Sequence, residues 1–373
     1  MDILEATAGY EAWLGRFMPL VPADIAEKHA RMRAALFPFM RATYYRWCAL
    51  WREGAGHLAG AKRVLAVGDL HLENFGTWRD AEGRLIWGIN DFDEATALPW
   101  TQDLVRLATS AHLAIGEGHV GLARRSACQA ILRGYVDGLD SGGKPFVLEE
   151  EHDWLREVAT SELRRADVFW EKLDALPSAR TVDPTARTAL VRALPTPAGT
   201  PIRFARRVAG MGSLGRPRFV GIATWGGGRV AREAKAVAPS AWSWATGRAA
   251  DASPYARVLE RAVRVPDPTV RVDGPWLLRR LGPHCARIEL SDLPDAHDEE
   301  QLLHAMGFET ANIHLGTRDA ARSIRGELQA LAPRWLHELA KTLASAVTAD
   351  WVRWRGAGTR ASPRNRSRAA ARQ

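Results

Sequence analysis

Two short stretches hold most of the side chains in this sequence that could do chemistry together. "VLAVGDLHLENFG", residues 64–76, sets Asp69, His71, Glu73 and Asn74 directly behind an apolar, β-like run. "IWGINDFDEA", residues 86–95, sets Asp91, Asp93 and Glu94 behind another. Phosphoryl transfer needs a carboxylate to orient the attacking hydroxyl and accept its proton, and hard oxygen ligands to hold Mg²⁺ against nucleotide phosphates. Asp69 and Asn74, five apart in one loop, with Asp91 after the next strand, offer both. Two strands ending in polar loops would account for one or two of these carboxylates, but less well for their spacing. "GDLH" also offers an Asp-x-His pair of the kind metallophosphoesterases use. That site needs a second Gly-Asp and a Gly-Asn-His motif, and no "GNH" occurs.

Such a loop cannot hold a triphosphate alone. A glycine-rich hairpin, a basic residue on a nearby strand and a glutamate to hold that residue must face it. Nothing before residue 64 has this form. "GMGSLGRPRFVG" carries Gly210, Gly212, Ser213 and Gly215 between two strand-like runs, and small residues there let backbone N–H groups approach phosphate oxygens. The basic residue is Arg232 or Lys235 in "VAREAKAV"; they have opposite parity, so a regular strand points only one into a cleft. Lysine, a compact charge, is the commoner phosphate partner, whereas arginine makes a planar fork. Glu260, mid-helix in "YARVLERAV", is the candidate partner; a solvated surface glutamate is the other reading.

The elements that must position these residues follow from periodicity. Residues 24–52 have helical spacing, with Asp24 as N-cap. Strand-like runs at 63–67 and 84–90 flank the turn-rich "RDAEG" and read as a hairpin. Residues 101–180 are helical in pattern, and "LPTPAGTP", 194–201, is a Pro/Gly linker. A three-run β-meander follows, then a helix from Ser253 (N-cap) and Pro254 (first position), the strand "GPWLLRRLG", and helices from about 297 to 354.

The chain has 373 residues, enough for two domains or one two-lobed unit, and a formal charge of +8. Much of the excess sits in the arginine-rich C-terminal tail, which lacks hydrophobic periodicity and reads as disordered, so the charge does not argue for nucleic acid. A phosphate-rich ligand suits a basic protein equally well. Removal of the tail should abolish binding if the chain were an arginine-rich nucleic-acid binder. There is no membrane-length apolar run and no secretory signal pattern. Three dispersed cysteines, Cys48, Cys128 and Cys285, argue against disulfides, for a reducing cytoplasm and against a zinc site.

"GDLHLENF…INDFDEATALPWTQDLVRLA" resembles the G-D-x-H-x-x-N…I-D-x-x-x-A…D-L-A signature of aminoglycoside and choline phosphotransferases, which have the protein-kinase fold. More closely, from about Met32 to Trp354, the chain resembles a bacterial family called domain of unknown function 2252, which pairs "GDxHxENFG" and "NDFDEA" with a later "GxGSxG" segment. The resemblance implies that Asp69 is the catalytic base, that Asn74 and Asp91 are Mg²⁺ ligands, and that Asp103 braces the loop. His71 falls where protein kinases have the lysine that meets the transferred phosphate. The related family places a lysine where Arg232 stands. The residue before "GD", usually histidine in the antibiotic kinases, is Val67 here, so the loop is expected to be braced differently.

The expected fold is therefore α+β and bilobal, kinase-like and circularly permuted. Residues 1–195 form the catalytic helical lobe, 200–283 a small β-rich nucleotide clamp, 297–355 helices returning to the first lobe, and 356–373 a basic tail. The expected activity is transfer of the γ-phosphoryl group of ATP, with Mg²⁺, to a hydroxyl of a small-molecule acceptor; the alternative is a nucleotide-binding pseudokinase. The clamp should cover Asp69 and bring Gly212 within roughly 20 Å of Asp91, the reach of a triphosphate with its metal.

Overall fold

The computed structural model describes residues 1–150, 152–160, 165–249, 254–283, 285 and 299–360. The chain opens with α1 (Ile3–Leu14), capped by Asp2, whose carboxylate accepts from the N–H groups of Leu4 and Glu5. The helical stretch expected over 24–52 is three helices: α2 (Pro22–Ala34), α3 (Leu36–Ala42) and α4 (Tyr44–Gly54). Pro38 explains the first break. Its ring would strike the carbonyl of residue 34 in a continuous helix, so the chain turns extended at Ala35 and Pro38 falls in the first turn of α3.

β1 (Arg63–Ala66) does not form the expected hairpin; it pairs antiparallel with β4 (Thr96–Pro99). The hairpin is made instead by β2 (Phe75–Arg79) and β3 (Leu85–Ile89). Asp80 organises its turn, accepting from the N–H groups of Glu82 (3.0 Å) and Arg84 (2.8 Å). β2 escapes a search for alternation because its residues are buried on both faces.

α5 (Trp100–Gly116) runs through the centre of the helical part, buried from Trp100 to Ala114. α6 (Arg124–Ser141) lies beside it, and β5 (Phe146–Val147) adds to β3. α7 (Asp153–Thr160), α8 (Ala166–Asp174) and α9 (Pro184–Ala193) follow. The expected meander is β6 (Arg203–Arg206), β7 (Arg218–Trp225) and β8 (Gly228–Ala236). After α10 (Ala241–Thr246) and α11 (Tyr255–Arg261), β9 (Arg271–Asp273) and β10 (Trp276–Leu281) complete an antiparallel sheet in the order β6-β7-β8-β10-β9. Pro254 is the N-cap of α11 rather than its first residue, and Ser253 lies outside the described residues. α9 packs on β7, β8 and β10, so the small sheet takes a helix from before the Pro/Gly linker.

α12 (Glu299–His314) packs along α6; Gly134 and Gly307 permit that approach, since a Cβ at either would meet backbone oxygen at 1.8 or 2.0 Å. α13 (Ala320–Gln329) leads to α14 (Trp335–Arg360), which returns to α2, α3, α4 and α5. Arg46 pairs with Asp350 at 2.7 Å, and Trp351 Nε1 donates to the Met32 carbonyl at 3.0 Å. α14 extends five residues into the stretch expected as tail, and 361–373 lie outside the described residues. The fold is mixed α+β. No helix among the described residues is long and apolar enough to cross a membrane.

Candidate functional site

The loop from Val67 to Asn74 is held from behind. Asp103, in the first turn of α5 and fully buried, accepts from the N–H groups of Val67 (2.7 Å) and Gly68 (2.9 Å). Gly68 has φ +86°, and a Cβ there would lie 2.4 Å from the Glu94 carbonyl oxygen, so only glycine fits this turn. His314 Nε2, at the end of α12, lies 3.1 Å from Asp103, and its Nδ1 lies 2.7 Å from the Tyr135 hydroxyl. A histidine does brace this loop, although it comes from 247 residues after Val67. Asn74 Oδ1 accepts from the His71 N–H at 2.6 Å, and Ser110 Oγ accepts from the Leu72 N–H at 3.2 Å.

Asp69 projects from this loop, with its side chain 16% exposed. Arg106, one turn beyond Asp103 on α5, donates to Asp69 Oδ1 from Nη2 (2.7 Å) and Nε (3.2 Å). Arg106 is itself fully buried, stacked over Trp47 at 4.8 Å, and also donates to the Met40 carbonyl. Burial pushes the Asp69 carboxyl above its ordinary value, and the Arg106 and Arg41 charges oppose that rise.

The glycine segment lies against Asp69. Between β6 and β7 the chain turns over Met211–Gly215, and a Cβ on Gly212 would sit 3.6 Å from Asp69 Oδ2 and 3.3 Å from the Arg41 carbonyl oxygen. Gly210 (φ +78°) and Gly215 (φ +96°) take the left-handed backbone conformation. Ser213 Oγ accepts from Arg218 Nη2 at 2.7 Å. Asp69, His71, Asn74, Asp91, Gly210, Gly212 and Ser213 line one cavity of about 570 Å³. Its lining also includes Lys172 of α8 and Arg207, Arg279 and Arg280.

Lys235, not Arg232, faces the carboxylates. Its Nζ is 2.6 Å from Asp93 Oδ1 and 3.5 Å from Asp91 Oδ1, and the residue is 2% exposed. Burial raises the Asp91 carboxyl, but the Lys235 and Arg279 charges outweigh it and hold it below the usual carboxylate range. Arg232 lies on the opposite face of β8, where its Nε donates to the Ala193 carbonyl at the end of α9. Glu260 is on the exposed side of α11 and does not meet Lys235. The buried glutamate of this face is Glu233, which shares Lys235's parity and sits among Arg207 (2.6 Å), Arg218 (3.2 Å) and Arg279 (2.7 Å). Those three guanidinium groups overcome burial and hold its carboxyl well below the ordinary value. Arg216 crosses from the glycine segment to Glu94 (3.2 Å) and Asp93 (3.6 Å), joining the sheet to the "NDFDEA" loop.

Arg106, Glu233 and His314 were not among the expected site residues. Arg106 could have been read from "DLVR", which places it one helical turn after Asp103, and Glu233 from its alternation with Lys235. His314 ends "FETANIHLGT", which resembles the helix that precedes the catalytic loop in kinase-like proteins, but a histidine there is more often a core or helix-surface residue.

Residues 20–190 match a family model described as "Uncharacterized protein conserved in bacteria (DUF2252)". That span carries both carboxylate motifs and Asp103, and ends before the glycine segment. No curated protein matches the chain, and no solved structure does.

Proposed function

We propose that the protein is a phosphotransferase with a circularly permuted, kinase-like arrangement, moving the γ-phosphoryl group of ATP to a hydroxyl of a small-molecule acceptor. One observation carries this reading. The glycine turn, about 140 residues beyond Asp69 in the chain, closes directly on Asp69, and both line one cavity with Asn74 and Asp91.

The residues fit a magnesium–nucleotide complex. Asp91 keeps 40% of its side chain exposed and its carboxylate ionised, as a hard-cation ligand requires. Asn74 Oδ1 accepts one hydrogen bond and keeps a second lone pair. Bound there, Mg²⁺ would neutralise charge on the transferred group. Arg207, Arg279 and Arg280 supply positive charge for phosphate oxygens, and the bare glycine backbone lets N–H groups approach them. Asp69 Oδ2 would accept the acceptor's proton as the oxygen bonds to phosphorus and the bond to the diphosphate leaving group breaks. Arg106, holding Oδ1, fixes the carboxylate's direction.

The same pair favours a second reading, a nucleotide-binding module without transfer. The Arg106 charge opposes the rise that burial gives the Asp69 carboxyl, and its guanidinium already occupies Oδ1. Thermal denaturation with and without Mg²⁺-ATP, followed by an acceptor screen scored by ATP consumption, tests both. At a hundred times its dissociation constant, the nucleotide should add about 2.7 kcal/mol of stability. No shift at millimolar ATP sinks both readings; a shift with no Asp69-dependent turnover on any acceptor selects the second.

A further inference from the structure

α5, α6 and α14 meet away from the cavity and bring together three side chains that phosphoryl transfer does not use. His112 lies near the end of α5, Cys128 early in α6 and His337 in the first turn of α14. Their possible ligand atoms all lie within 4.8 Å of one another. Cys128 Sγ is 3.4 Å from His112 Nε2, and the two imidazole centroids are 5.1 Å apart. His337 Nδ1 is buried without a hydrogen-bond partner among the described residues. None of the three lines the cavity.

We propose that His112, Cys128 and His337 form a zinc site that ties the C-terminal helix α14 to the α5–α6 pair. One thiolate and two imidazoles are a borderline-soft donor set, which suits Zn²⁺ and not the oxygen-seeking Mg²⁺ or Ca²⁺. Zinc–sulfur and zinc–nitrogen bonds of about 2.3 and 2.0–2.1 Å put tetrahedral ligand atoms about 3.5 Å apart. His112 and Cys128 already have that separation, and the widest pair must close by roughly 1 Å. His112 and Cys128 are buried and His337 is half-buried, so a water would complete a tetrahedral site.

The protonation states agree with this chemistry. Burial, with the neighbouring His337, Arg124 and Lys341 charges, pulls His112 down to about 4, so its ring is neutral at pH 7. Burial pushes the Cys128 thiol up to about 12, so it carries its proton until a metal displaces it. Each ion bound therefore forms a metal–sulfur bond and releases that proton to solvent. The Arg124 and Lys341 charges beside His112 oppose a dication. The expectation that the cysteines are too dispersed for zinc considered cysteine spacing alone; here the other two ligands are histidines on neighbouring helices.

The full chain, stripped with chelator, is titrated with Zn²⁺ and separately with Co²⁺. The expected result is one equivalent bound, one proton released, a higher melting temperature with zinc, and a thiolate-to-cobalt charge-transfer band. Cys128→Ser should lose that band and weaken zinc by at least the roughly hundredfold that loss of an outer partner can cost. His337→Ala should weaken zinc comparably, and Asp69→Asn should leave the zinc affinity and the cobalt band unchanged. Absence of the thiolate band in the unsubstituted chain, or unchanged zinc affinity in Cys128→Ser, overturns the proposal; the first result does not depend on any variant folding.

Discussion

Lys235→Met tests whether the β8 lysine holds the "NDFDE" carboxylates against the small sheet. Its ammonium lies 2.6 Å from Asp93, whose side chain is 10% exposed, and 3.5 Å from Asp91. Methionine nearly conserves volume, so the loss is chiefly electrostatic. Breaking a buried pair by removing one partner costs roughly 3–5 kcal/mol, because a charge is left without compensation. Arg216, 3.6 Å from the other Asp93 oxygen, and the solvent reaching Asp91 both soften the loss. The expected destabilisation is therefore at the lower end, about 3 kcal/mol. Urea unfolding at pH 7, followed by tryptophan fluorescence, measures it. Adding Asp93→Asn removes the orphaned charge and should recover more than half of the loss, while Mg²⁺-ATP affinity stays low in both variants. The pH dependence is a second readout. Burial raises Asp91, but Lys235 and Arg279 hold it at about 2 against an ordinary 3.8. The stability from that pairing is present above pH 3.8 and is lost as pH falls toward 2. Lys235→Met should flatten this acid limb. A loss below about 1 kcal/mol, the range of exposed pairs, or a double variant no more stable than the single, refutes the reasoning.

Asp69→Asn should abolish acceptor-dependent ATP consumption while keeping the Mg²⁺-ATP thermal shift; loss of nucleotide binding in a folded protein would mean Asp69 has another role. Gly215→Ala should destabilise by about 3 kcal/mol, since φ is +96° and the new Cβ would lie 2.2 Å from Ile25 Cδ1. Adding Ile25→Ala should return the steric share and not the backbone share, as read by melting temperature. Glu309, buried on α12, is raised by burial to about 7 despite Arg264, Asn312 and the Ile89 N–H. A raised carboxyl gives stability that is complete below pH 4.5 and lost as pH rises through 7, on the order of 3 kcal/mol in all. Glu309→Gln should remove that slope, and an unchanged pH–stability curve would show that Glu309 does not titrate there.

The sequence by itself determined what is local. Polar residues directly behind apolar runs marked the Asp69–Asn74 and Asp91 loops, and alternation with glycine punctuation marked the β6–β8 meander, because both signals lie within a few neighbouring residues. Parity on β8 required that Arg232 and Lys235 part company. Which one faces the carboxylates depends on which face α9 covers, and that contact is between distant segments. For the same reason Glu233 and not Glu260 occupies the charged face, and β1 pairs with β4 across 30 residues and not with the nearer strand. His314 reaches Asp103, and His337 reaches His112 and Cys128, only because α12 and α14 come back over α5 and α6. Burial decides such returns. Apolar helix faces specify that they must be covered without naming the partner, so side chains carried on the far ends of those helices meet only once the whole chain has packed.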